Sequence, residues 1–136
     1  MVEVTAQYEG DLRCSAIHGP SKTTIFTDAP IDNHGKGESF SPTDLVAAAL
    51  PACMMTIIGI VANRHGIDVR GMHARTEKVM TTDGPRRIKS LRTVITLPLA
   101  ADHAQRELFE NAAHTCPVHK SLHPDIDAAI EFVWAG

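Results

Sequence analysis

Hydrophobic and polar residues alternate at the start of the chain. Val2, Val4, Ala6 and Tyr8 fall on every second position, the period of a half-buried strand. Glu9-Gly10-Asp11 reads as a turn, and Leu12–Ile17 and Thr23–Thr27 as two more short strands around His18-Gly19-Pro20-Ser21. Residues 28–41 are polar, carry Gly and Pro, show no period and read as loop. A helix then begins. Ser41 suits its N-cap, Pro42 its first position, and Asp44, three residues after the cap, completes a capping box. The helix is expected to run to about Arg64 and to end at His65-Gly66, with Pro51 kinking or splitting it and releasing the carbonyl of Ala47. Ile67–Met80 and Arg87–Leu97 read as two long strands around Asp83-Gly84-Pro85, and Ala101–Ala113 as a second helix. Cys116-Pro117-Val118-His119 opens a short third helix, and Ala128–Trp134 closes the chain as a strand. The order β-β-β-α-β-β-α-α-β predicts an α+β fold with mainly antiparallel pairing.

The stretch from Leu45 to Ala62 changes the picture. It holds 18 residues without a charge, the lower limit for a membrane span. It is rich in Ala and interrupted by Pro51 and Gly59, and no second such stretch exists, so it reads as a buried core helix. A chain of 136 residues is one domain, 1–136, and hardly covers such a helix alone, which hints at a dimer. Hydrophobic residues at 43% and charged residues at 21% exclude a disordered chain. A net charge of -3 and 4% aromatic residues argue against a general nucleic-acid binder. Charge is uneven: residues 64–92 hold eight Lys+Arg against three acids, which reads first as a solvated hairpin face and second as a patch for an anionic substrate or for nucleic acid. Three cysteines, an odd number, and an N-terminus without a basic, apolar leader suggest a reducing, cytoplasmic setting.

Chemistry concentrates on the thiols. Cys53 lies in the most apolar helix; alone it reads as an inert buried thiol, unless a helix start created by Pro51 aims free N–H groups at it. Cys116 precedes Pro117 and so sits at an N-cap, where amides and the helix dipole are expected to lower a thiol pKa. His114, Cys116, His119 and His123 also resemble a zinc cluster, but only the last His pair has a strong ligand spacing, so no metal is expected. Cys14, on a predicted strand, reads as structural. No phosphate loop, dinucleotide fingerprint or nucleophile elbow is present, and no cofactor is expected.

The run from Ser41 to Cys53 resembles the active-site helix of the OsmC/Ohr family, the osmotically inducible and organic hydroperoxide resistance proteins. Cys116-Pro117-Val118 resembles the second cysteine motif of that family, and Tyr8-Glu9-Gly10-Asp11 its N-terminal aromatic turn. The resemblance implies an OsmC-like fold with antiparallel sheets and a long central buried helix, in an intertwined homodimer. It implies reduction of organic hydroperoxides: Cys53 attacks the peroxide and becomes a sulfenic acid, Cys116 closes a disulfide with it, and an external dithiol restores both. Neither nucleic acid nor membrane is an implied partner. Family peroxidases steady the thiolate with an arginine and a glutamate. The glutamate falls at Thr43 in a gap-free match and at Asp44 in looser relatives, and Arg13 is the candidate arginine. The alternative is an OsmC-like ligand-binding or redox-sensing protein without efficient peroxidase activity.

Overall fold

A computed structural model describes all residues, 1–136. They form two compact units, residues 1–46 and 47–136.

The first unit is an antiparallel sheet of β1 (Val4–Gly10), β2 (Arg13–His18) and β3 (Thr24–Asp28), in that spatial order. Its first hairpin turns on Asp11 and Leu12 rather than on Gly10. Both have positive φ, 53° and 62°, as the tightest two-residue hairpin connections require. A leucine there is costly, by about 1–2 kcal/mol. Two hydrogen bonds hold it: the Leu12 amide donates to the Tyr8 hydroxyl (3.3 Å), and its carbonyl accepts from the Ala29 amide (3.0 Å). The expected loop contains one turn of 3-10 helix, Ile31–Asn33.

The capping box forms as read. Ser41 Oγ accepts from the Asp44 amide (3.1 Å), and Asp44 Oδ2 accepts from the Ser41 amide (3.0 Å). It starts α1 (Pro42–Arg64). The other end closes as a Schellman motif: the Ile67 amide donates to Ala62 and the Gly66 amide to Asn63, with Gly66 at φ 66°. Pro51 does not split α1, which stays continuous through it, so no new helix start forms there.

The second unit contains most of α1, then β4 (His73–Met80), β5 (Ile88–Leu97), α2 (Arg106–His114), α3 (Pro117–Ser121) and β6 (Ile130–Trp134). β4 pairs antiparallel with β5, whereas β6 joins β5 in parallel. The parallel pairing follows from connectivity: α2 and α3 lie between β5 and β6 and make the crossover that parallel strands need. Three elements are shorter than expected, each for a local polar reason. Residues 67–72 leave the strand because Asp68 Oδ1 captures the Arg70 amide (2.9 Å) and Gly71 takes φ 94°. Residues 101–105 stay in turns, where His103 Nδ1 accepts from the Gln105 amide (3.0 Å). The last strand waits for Ile130 because Asp127 Oδ1 accepts from the Ala129 amide (3.2 Å).

The buried apolar residues all lie in this unit: Leu50, Met54, Ile58 and Ala62 of α1, Leu91, Ile95 and Leu97 of β5, Phe109, Ala112 and Ala113 of α2, and Cys116. The α1 positions recur every four residues and form one stripe. The helix is long and apolar enough to cross a membrane, yet only 22% of its apolar window is buried within the chain. The expectation of a helix buried on every side therefore holds for one stripe; Ile60, on another face, is 42% exposed. The basic hairpin is a solvated ion-pair surface, with Arg75 beside Glu77 and Arg92 Nη2 2.7 Å from Asp127.

Replacing Ile58 with Ala is expected to cost about 2–5 kcal/mol in urea unfolding, because it opens a cavity in this stripe. Val79→Ala, at a residue 47% exposed, is expected to cost much less. Equal losses would mean that the stripe is not the core.

Candidate active site

Cys53 and Cys116 are both free thiols, the first half-buried on α1 and the second fully buried at the start of α3. The fold brings them near one another across 62 intervening residues, close enough for Cys53 to act on the protonation of Cys116. Cys116 is the N-cap of α3, as the Pro117 spacing predicts, and its Sγ accepts from the His119 amide at 3.2 Å.

The electrostatic expectation for Cys116 is reversed. Burial pushes its thiol pKa up and outweighs the amides of His119 and Val118, which pull it down; Cys53 pushes it further up. An N-cap lowers a thiol pKa where water also reaches the sulfur. Here the side chain lies in the aliphatic core. The second expected device, a helix start at Pro51 aimed at Cys53, is absent because α1 is unbroken.

The first unit holds the other two candidates. Arg13 and Asp28 face each other across β2 and β3. Arg13 Nε and Nη2 bind the two oxygens of Asp28 at 2.7 and 3.0 Å, and Glu38 Oε2 lies 3.4 Å from Nη2. This guanidinium holds the nearly buried Asp28 carboxyl below the usual range, and Asp28 in turn holds Arg13 above its own. Asp44 belongs to the capping box, beside Thr43, whose Oγ1 is 3.2 Å from Ser41 Oγ. Asp28 and Glu38 were not legible as partners of Arg13. Their only signal in the sequence is that both are acids within the polar stretch 28–41, and the pairing needs the strand register.

Cys14 lies half-buried on β2, opposite Tyr8 and Thr27. The four residues with metal-like spacing do not converge. His119 Nε2 meets the carbonyl of Ala128 (3.2 Å), and His123 Nδ1 accepts from the Asp125 amide (3.0 Å). The Cys-x-x-His spacing is the N-cap geometry of α3, in which residue N3 donates its amide to the cap. An open groove of about 410 Å³ runs between α1 and α2, lined by Ile57, Ile60, Val61, Arg64, Leu108 and Asn111 among others.

Two measurements check this description. Iodoacetamide at mildly alkaline pH is expected to label Cys53 while Cys116 stays largely unmodified; equal labelling, read by peptide mass spectrometry, would contradict the burial. In the Arg13 pair, Asp28 has a lowered folded pKa, so its contribution is present above the unfolded value of about 3.9 and is lost as pH falls through the folded one. The wild-type urea midpoint should therefore fall below about pH 4, and Asp28→Asn should make that acid decline shallower. An unchanged acid slope would refute the pairing.

The OsmC-like protein family model matches residues 35–131. No curated protein matches the chain. A solved structure from Psychrobacter arcticus 273-4, provisionally described as an osmotic stress induced and detoxification response protein, is 49% identical, covers 97% of this chain and 96% of its own, and superposes with a TM-score of 0.90. An organic hydroperoxide resistance protein OsmC from Legionella pneumophila has the same fold at 17% identity and TM-score 0.78, covering 98% and 96% of the two chains. OhrB of Bacillus subtilis, an organic hydroperoxide resistance protein, does so at 21% identity and TM-score 0.70, covering 97% of each. With its α+β fold, its thiol pair and these matches, the chain belongs to the OsmC-like protein family.

Proposed function

We propose that the protein is a cytoplasmic, homodimeric thiol peroxidase that reduces organic hydroperoxides in oxidative-stress defence. The observation that carries this reading is the meeting of Cys53 and Cys116, distant in sequence, as free thiols. The Cys53 thiolate attacks the terminal peroxide oxygen, the O–O bond breaks, and an alcohol leaves after taking a proton. Cys53 becomes a sulfenic acid. The Cys116 sulfur then attacks the Cys53 sulfur, and the sulfenic oxygen leaves as water with the thiol proton. A dithiol reductant reopens the disulfide by exchange. No bound cofactor is needed.

Between Asp44 and Arg64 the helix bearing Cys53 carries no charge. Such surroundings favour an alkyl peroxide over a small polar one, at about 25 cal/mol per Å² of apolar surface buried. The same helix supports the dimer: a second copy would cover the apolar residues, Ile60 among them, that one chain leaves open. Arg13 and Asp44 take the arginine and carboxylate roles of the family pattern in this proposal. Both already have partners, Asp28 and Glu38 for Arg13 and Ser41 for Asp44. That engagement favours a second reading, a redox sensor or ligand-binding protein that turns peroxide over slowly.

The reduced protein, given one equivalent of cumene hydroperoxide and digested without reductant, is expected to yield a Cys53–Cys116 crosslink within seconds. Cys53→Ser should abolish peroxide consumption, and Cys116→Ser should stop at a Cys53 sulfenic acid that dimedone traps. Thiols still unreacted after an hour would reject the peroxidase and leave the second reading.

A further inference from the structure

The turn that carries Cys116 has one contact that this scheme does not use. His119 makes two contacts, one with Cys116 and one outside the thiol pair. Its amide donates to Cys116 Sγ at 3.2 Å, and its ring Nε2 stands 3.2 Å from the carbonyl oxygen of Ala128, two residues before β6. A carbonyl oxygen only accepts, so Nε2 carries the hydrogen. The His114 ring meets the His119 ring edge-on, centroids 6.1 Å apart, and lies 6.3 Å from the Phe132 ring on β6. α3 has only five residues, too few for its own backbone bonds to hold it. The His119 ring ties its first turn to the segment that leads into β6.

We infer that His119 is a positioning residue: its ring bond to Ala128 fixes the turn whose amide aims Cys116 at Cys53, and so sets the rate at which the disulfide closes. This deepens the proposed function, because it rests on the same cysteine pair. It also accounts for the Cys-x-x-His spacing without a metal.

The test needs no peroxide. In a Cys14→Ser background, dithiobis(nitrobenzoate) reacts first with Cys53, releasing one thionitrobenzoate and leaving a mixed disulfide. Cys116 then loses its proton to solvent, and its sulfur attacks the Cys53 sulfur. The mixed S–S bond breaks, and a second thionitrobenzoate departs with the electron pair. Stopped-flow absorbance separates the two releases. His119→Phe keeps a ring but has no donor, and is expected to slow the second release about fivefold or more, the scale of one lost hydrogen bond. The first release should be little changed. His119→Gln, whose amide nitrogen reaches as far as Nε2, is expected to recover most of the rate. A second release as fast in the Phe variant as in the parent would overturn the inference, and so would a Gln variant no faster than Phe. If the Phe variant does not fold, His119→Leu, also without a donor, takes its place. A parent protein with no second release would overturn the cysteine pairing as well. Absence of peroxide turnover alone would reject the peroxidase and leave this result standing.

Discussion

The burial of one stripe of α1 is the constraint on which the site depends. Leu50, Met54, Ile58 and Ala62 recur every four residues and are fully buried, so the rotation of the helix about its axis is set. Cys53 is the residue before Met54 and lies about 100° around the helix from it. It therefore sits half-buried beside the stripe. Cys116 belongs to the same core, between α2 and α3, and is wholly buried. One thiol is within reach of water and the other is not. The two thus differ in accessibility before any charged neighbour is considered.

Two opposing influences act on Cys116. The α3 amides favour its thiolate, and the surrounding aliphatic residues favour its thiol. Burial wins because the desolvation of a sulfur anion in an apolar core exceeds what two neutral donors return. The N-cap therefore serves geometry more than acidity: it gives the sulfur one direction. That direction depends on a five-residue helix, which in turn depends on contacts from outside it, the Ala128 carbonyl among them.

The first unit is organised on polar terms. Its named buried residues are Thr27, Asp28 and Ser41 rather than aliphatic ones. Arg13 binds Asp28 through two nitrogens across neighbouring strands, and Ser41 and Asp44 exchange two hydrogen bonds at the start of α1. The capping box is local, spanning four residues. The Arg13 pair joins residues 15 apart and exists only because the β2–β3 pairing sets the register.

Local rules therefore determined much of this protein from its sequence. Alternation marked the strands, Ser41-Pro42 and His65-Gly66 marked the ends of α1, Cys116-Pro117 marked the α3 cap, and the two cysteine motifs pointed to the family. Each signal acts over a few residues, where backbone geometry and side-chain type suffice. Tertiary structure decided the rest. It kept α1 continuous through Pro51, and it placed β6 parallel to β5 through a helical crossover. It raised the Cys116 pKa where the local motif alone would lower it, and it gave Arg13 to Asp28 and Glu38. Burial and strand register are sums over residues far apart in the chain, and no short window of sequence contains them.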